Sequence, residues 1–292
     1  MTPCFAVEIV TPKKVRLYGL WLGSKRPKRV VIWVHGLGSS MFSKLYLAEH
    51  LIDRETAVLV FNNRGHDKVS RLMRAGEKKI GKTSLAGAAH EVFTDCADDI
   101  QGAVTFAKRQ GVKTIFLAGH STGCQKSTYW AYKNAGGRGV KGIILLAPMS
   151  DYAAAVVQHG KAKLARIASL ARALVKRGKK HQLLPESIFA GADDAQRTLS
   201  LYSGEGAEEI FTYWDAQRNP IALKSVQTPL LVLLAEKDEY ADRPAKNIAE
   251  WFGRHLRQTG RVKIIPKVTH GFKGGEKEVA REMRIFVKAA TR

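Results

Sequence analysis

Residues 119–123 read Gly-His-Ser-Thr-Gly and follow the apolar run Thr114-Ile115-Phe116-Leu117-Ala118. A serine between two glycines, with a strand before it and a helix opening after it, forms a nucleophile elbow that presents the Ser121 hydroxyl at the end of the strand. Gly119 and Gly123 are expected where neighbouring backbones pass too close for a Cβ. A serine hydroxyl is a weak nucleophile at neutral pH, so it needs a base to take its proton and a carboxylate to orient that base. Downstream, the strand Leu230–Ala235 delivers Glu236-Lys237-Asp238, and a strand over 261–265 is followed by Val268-Thr269-His270-Gly271-Phe272. Both groups fall just past the carboxyl ends of strands, where ligands collect in open α/β sheets. The chain order nucleophile, acid, base assigns Ser121, Asp238 and His270. Asp151, Glu236 and Asp242 are rivals for the acid, and a carboxylate at 238 can instead cap a helix starting near Arg243.

Attack on a carbonyl also needs donors aimed at the developing oxyanion, each worth roughly 3 kcal/mol. The backbone N–H of Thr122, next after the nucleophile, is one candidate. The other is Leu37 N–H in the loop His35-Gly36-Leu37-Gly38-Ser39, where Gly36 and Gly38 let the backbone turn toward a substrate. His35 and His120 are read as structural hydrogen bonders, and Cys124 as a small core residue.

The elements that must position these groups alternate short apolar runs with helical patterns, which points to a mainly parallel α/β sheet. Segments 5–10 and 14–22 read as an antiparallel pair with Pro12 in the turn. Strands follow over 30–34, 57–61, 114–118, 140–146, 229–235 and 261–265, with helices over 43–52, 88–110, from the serine to about 134, and 276–290. A basic loop occupies the residues after Phe61. Between Pro148 and Pro229 strand signals are weak and two helical patterns, 152–177 and 205–218, stand out. So long an excursion is an insertion rather than a loop, and it is expected to form a helical cap over the site. The chain thus divides into a core of 1–150 and 225–292 and a cap of 151–224.

Together, His-Gly-Leu-Gly at 35–38, Asn-Arg-Gly-His at 63–66, Gly-His-Ser-Thr-Gly, Asp238 and His270 resemble an α/β-hydrolase across nearly the whole chain. The resemblance implies an eight-stranded, mostly parallel sheet flanked by helices, with the cap inserted after the sixth strand. Within that superfamily, Gly-His-Ser-Thr-Gly-Cys-Gln at 119–125 and Leu-Ala-Pro-Met-Ser-Asp at 146–151 are similar to a branch that includes fungal siderophore esterases. Related dehalogenases and epoxide hydrolases carry Asp where this chain has Ser121. The implied activity is serine hydrolysis of a carboxylic ester through an acyl-enzyme, as in carboxylesterases and lipases. A thioesterase, peptidase or acyltransferase would use the same groups, and a non-catalytic binding protein could use the same scaffold.

No cofactor is expected: there is no GxGxxG fingerprint or P-loop, and His90-Glu91 lacks the second histidine of HExxH, so no metal is expected either. The 292 residues are 45% hydrophobic and 25% charged, ordinary values for a globular protein. No stretch reaches a transmembrane length and no signal peptide is recognisable, so a cytoplasmic location is expected. Cys4, Cys96 and Cys124 are too scattered for a disulfide framework. The net charge of +22 attracts polyanions, but no nucleic-acid motif is present and no specific nucleic-acid partner is expected. Two basic tracts stand out. In 161–180, Leu164, Ile167, Ala168, Ala171, Leu174 and Val175 share one helical face, with Lys161, Lys163, Arg166, Arg172, Lys176, Arg177, Lys179 and Lys180 mostly opposite, as in a cap helix packed over the pocket. Weak binding to an anionic surface is the alternative. The loop residues Arg64, Lys68, Arg71, Arg74, Lys78, Lys79 and Lys82 could draw an anionic substrate to the site, with Arg64 itself structural. The expected partner is a small-molecule ester, and the oligomeric state is open.

Overall fold

The computed structural model describes residues 2–77, 83–185, 187–188 and 193–291; Lys78, Lys79 and Lys82 of the basic loop lie outside them. Strands β1 (Cys4–Val10) and β2 (Val15–Leu22) pair antiparallel, with Cys4 opposite Leu22 and Val10 opposite Arg16. The next strands are β3 (Arg29–Val34) and β4 (Thr56–Phe61), whose side chains are buried almost throughout. Continuous apolar runs of this kind suit strands covered on both faces. The β4 end leads into β5 (Ser70–Arg74) and β6 (Ser84–Ala86), an antiparallel pair in which β5 also borders β2. The segment expected to be a plain basic loop therefore carries sheet structure.

The remaining strands are β7 (Thr114–His120), β8 (Gly142–Leu146), β9 (Leu230–Ala235) and β10 (Arg261–Ile265). The sheet runs β10-β9-β8-β7-β3-β4-β2-β5-β6 with β1 on β2, and it is parallel from β10 to β4. Among the described residues ten strands form rather than eight; the excess is the antiparallel pair β5 and β6, whose short, polar sequences carry no clear alternation. One face is covered by α2 (Cys96–Arg109), α3 (Thr122–Lys133) and α8 (Ala245–His255), which bury Ile100, Val104, Trp130 and Phe252. The other is covered by α1 (Leu45–Ala48) and α9 (Glu276–Ala289), which bury Leu47, Met283 and Phe286.

Residues between β8 and β9 form α4 (Asp151–His159), α5 (Lys161–Lys176), α6 (Ala195–Tyr202) and α7 (Ile221–Ser225). The single helix expected over 152–177 is broken at Gly160, whose φ of 79° no helix accommodates. Leu164, Ile167 and Ala171 of α5 pack with Ala155, Leu184 and Ala195 in a small separate core. Val175, placed on that apolar face by spacing, is exposed. The helix expected over 205–218 does not form. There Ile210, Phe211 and Tyr213 join the main core while Glu208 turns inward to Arg197, demands that no single helical face meets. Likewise α2 starts at Cys96 rather than near Ala88, because Ala88 and Ala89 give their carbonyls to Arg197 Nε and Asp194 N. Among the described residues no helix is long and apolar enough to cross a membrane.

Candidate active site

Strand β7 ends at His120, and Ser121 turns the chain into α3 with φ 56° and ψ −127°. A residue with a Cβ holds that conformation only where its surroundings enforce it. Here the enforcement is backbone crowding. A Cβ on Gly123 would lie 2.1 Å from Val34 O, and one on Gly119 would lie 2.3 Å from Gly123 O. Gly36 packs directly on Ser121, where its Cβ would meet Ser121 Cβ at 2.9 Å. Gly38, at φ 59°, completes the turn of that loop.

Ser121 and His270 line one cavity of about 270 Å³ together with Gly36, Leu37, Ser39, Lys44, His120, Met149, Asp151 and Tyr240. His270, buried after β10, receives Asp238 from the loop after β9: Nδ1 lies 2.8 Å from Asp238 Oδ2 and 3.0 Å from Oδ1. A proton on Nδ1 donated to Asp238 leaves Nε2 with its lone pair. The Ser121 hydroxyl has a weak acceptor, Met149 Sδ, at 4.0 Å. Thr122 N–H opens α3 and so belongs to the donors that a helix leaves without an internal partner; Leu37 comes from the loop after β3 and lines the same cavity.

The rival acids are occupied elsewhere. Glu236 Oε2 accepts Lys267 N–H at 2.7 Å, Asp242 pairs with Arg243, and Asp151 accepts Gln125 Nε2 at 2.9 Å. Burial, with Glu208 adding to it, pushes the Asp151 carboxyl well above its ordinary value. Burial and the neighbouring His270 lower the His120 imidazole to about 3, and its Nε2 lies 2.9 Å from His270 O. A neutral His120 donating there braces the loop that carries His270. His35, lowered to about 3 by burial and by Lys126, accepts Asn63 N–H at 3.2 Å and ties the β3 and β4 ends together. Arg64 is structural, held by Asp95, Asp98 and Asp99. Cys124 is fully buried.

Several residues around the site carried no sequence signal. Glu239 Oε2 accepts His270 N–H at 2.8 Å, Tyr46 Oη donates to Gly271 O at 2.7 Å, and the Tyr240 ring packs edge-on to His270 at 4.9 Å. Each is brought to His270 from a distant segment or an unpatterned loop. Among the described residues, none of α5 lines the cavity, and Asp151 is the one lining residue from 151–224. Lys126 of α3, Glu91, Arg197 of α6 and Glu208 form a buried ion network that ties the 151–224 segment to α3 and to the chain before α2.

Among the described residues, the cluster able to hold a metal is His90, His181 and Asp194. It lies outside this cavity, and Asp194 Oδ2 is engaged by His90 Nδ1 at 3.0 Å and His181 Nδ1 at 2.9 Å.

The family described as Hydrolase_4, serine aminopeptidase S33, matches residues 25–278. No curated protein matches the chain by sequence. Among solved structures, the α/β-hydrolase GrgF from Penicillium sp. sh18 is 18% identical with a TM-score of 0.67, covering 99% of both chains. The siderophore hydrolase EstB from Aspergillus fumigatus is 16% identical with a TM-score of 0.67, over 99% of this chain and 98% of its own. An esterase from Pyrococcus furiosus is 17% identical with a TM-score of 0.61, over 99% and 91%. At such identities the likeness is one of fold: a mostly parallel, open α/β-hydrolase sheet flanked by helices.

Proposed function

This chain belongs to the serine aminopeptidase S33 family, and on that premise we propose that it is a serine hydrolase cleaving a carboxylic ester through an acyl-enzyme. The observation that carries the reading is the strained Ser121 sharing a cavity with a His270 whose Nδ1 is held by Asp238. Ser121 Oγ attacks the acyl carbon while His270 Nε2 takes its proton. Leu37 and Thr122 N–H stabilise the oxyanion. The C–O bond to the alcohol breaks as His270 returns the proton to the leaving oxygen. Water, activated by the same histidine, then frees the acid and Ser121. Asp238 fixes the imidazole and stabilises its cation. No step calls for a cofactor.

The family's description makes peptide hydrolysis at an amino terminus the second reading. Asp151 is the one carboxylate among the described lining residues; Gln125 Nε2 already donates to it at 2.9 Å, and burial raises its carboxyl, which makes it a poor partner for a substrate ammonium. That favours the ester. We take 151–224 as a cap hinged on the Lys126–Glu91–Arg197 network, and the three free cysteines fit a cytoplasmic protein. The test compares wild type with Ser121→Ala on short p-nitrophenyl esters and on aminoacyl p-nitroanilides, alongside labelling by a fluorophosphonate. Ester hydrolysis and labelling that both vanish in the variant support the proposal. Ester turnover that survives the substitution, or turnover of the anilides alone, refutes it.

A further inference from the structure

Lys44 stands on the wall of the same cavity, half-buried, and is the one cation among its described lining residues. Its backbone sits at φ 64° and ψ 20°, left-handed for a residue with a Cβ, which aims the side chain from the turn before α1 toward the His270 loop. The Nζ lies 5.8 Å from the centroid of the Tyr46 ring, and a Cβ on Gly271 would meet it at 3.2 Å. No carboxylate forms an ion pair with it among the described residues: Glu239, which acts on it from a distance, accepts His270 N–H at Oε2. Burial and Lys273 together pull the Lys44 ammonium below its ordinary value. Such a charge is waiting for an anion.

We propose that Lys44 binds a carboxylate on the alcohol half of the substrate, so that the enzyme acts on O-acyl esters of hydroxy acids. The inference rests on the hydrolase reading above. The half is fixed by position. His270 must protonate the leaving oxygen, so the alcohol departs on the His270–Gly271 side of Ser121, and that is where the Lys44 ammonium sits. Asp151, the carboxylate among the described lining residues, is engaged by Gln125 Nε2 at 2.9 Å, and burial with Glu208 raises its carboxyl, which weakens its opposition to an anion. The positive charge of the whole chain, +22, adds a field that draws anionic substrates inward.

The probes are 3-butyryloxypropanoate, its uncharged counterpart propyl butyrate, and ethyl hydrogen succinate, which carries the carboxylate on the acyl half. Wild type should favour 3-butyryloxypropanoate over both in kcat/KM by about tenfold or more, the worth of one charge-assisted contact. Added salt should shrink the preference. Lys44→Met should erase the preference through KM, and Lys44→Arg should keep most of it. Equal turnover of the three esters by wild type, or a Lys44→Met loss shared equally among them, overturns the assignment while leaving the hydrolase reading intact. Absence of Ser121-dependent cleavage of propyl butyrate and of the charged esters alike would instead sink the hydrolase reading and this inference with it.

Discussion

Replacing Glu91 by Gln removes one charge from the centre of the buried network without changing its shape. Glu91 Oε1 is 2.6 Å from Lys126 Nζ and Oε2 is 3.1 Å from Arg197 Nη2, with the side chains 1%, 0% and 0% exposed. Gly65 makes room for it, since a Cβ there would lie 2.3 Å from the carboxylate carbon. Burial alone pushes the Glu91 carboxyl up, yet Lys126 and Arg197 outweigh that and hold it below its ordinary value. In Glu91→Gln, Arg197 keeps Glu208, while Lys126 is left with neutral acceptors, the new amide oxygen and Asn63 Oδ1 at 3.2 Å, and no anion. Stranding a buried cation costs about 3–5 kcal/mol. The assay is urea unfolding of both proteins across pH. A carboxylate with a depressed native pKa contributes fully above its unfolded value of about 4.3 and loses that contribution as pH falls through the native value. The gap between the proteins should therefore be constant near neutrality and narrow in acid. The double variant Glu91→Leu/Lys126→Met, which strands no lysine, should recover much of the loss. A gap under about 1 kcal/mol at pH 7, or one unchanged down to pH 3, would refute the argument that paired burial holds this network together.

Asp238→Asn should lower kcat on a cleaved ester by about 10³–10⁴-fold with little change in KM, since it spoils the orientation of His270 rather than the cavity; steady-state kinetics check this, and a drop below tenfold would return the role to a rival acid. Gly123→Ala forces a Cβ to 2.1 Å from Val34 O, a backbone overlap that costs at least the 1–3 kcal/mol of ordinary overpacking, so soluble yield and thermal midpoint should both fall. His35 and His120 are lowered from 6.5 to about 3, so the unfolded chain binds more protons than the native one between those values. Each should steepen the loss of stability on acidification by up to about 1.4 kcal/mol per pH unit, and His120→Gln should flatten the slope measured by unfolding between pH 6 and 4.

Much of the architecture was legible because its signals are local. The apolar runs over 30–34, 57–61, 114–118 and 230–235 can be satisfied only as strands buried on both faces, and they form as such. The segment 205–218 misled because a helical pattern says nothing of where each side chain is needed. Phe211 packs on Phe252 of α8 and Tyr213 on Trp251, while Glu208 meets Arg197. Gly160, by contrast, was a visible breaker inside the pattern over 152–177, and its positive φ divides α4 from α5.

For the site, the sequence by itself determined which side chains have the chemistry and in what order they arrive. Elbow glycines, strand ends and chain order are properties of short segments. Only the tertiary structure decided which of four carboxylates meets His270 Nδ1, since Asp151, Glu236, Asp238 and Asp242 differ in their neighbours and not in their kind. It alone set Lys44 beside a histidine loop more than two hundred residues away in sequence, and raised the Asp151 carboxyl above its ordinary value by surrounding it. Reactivity follows from residue type, whereas partnership and protonation follow from distance and solvent exclusion, which only the folded chain possesses.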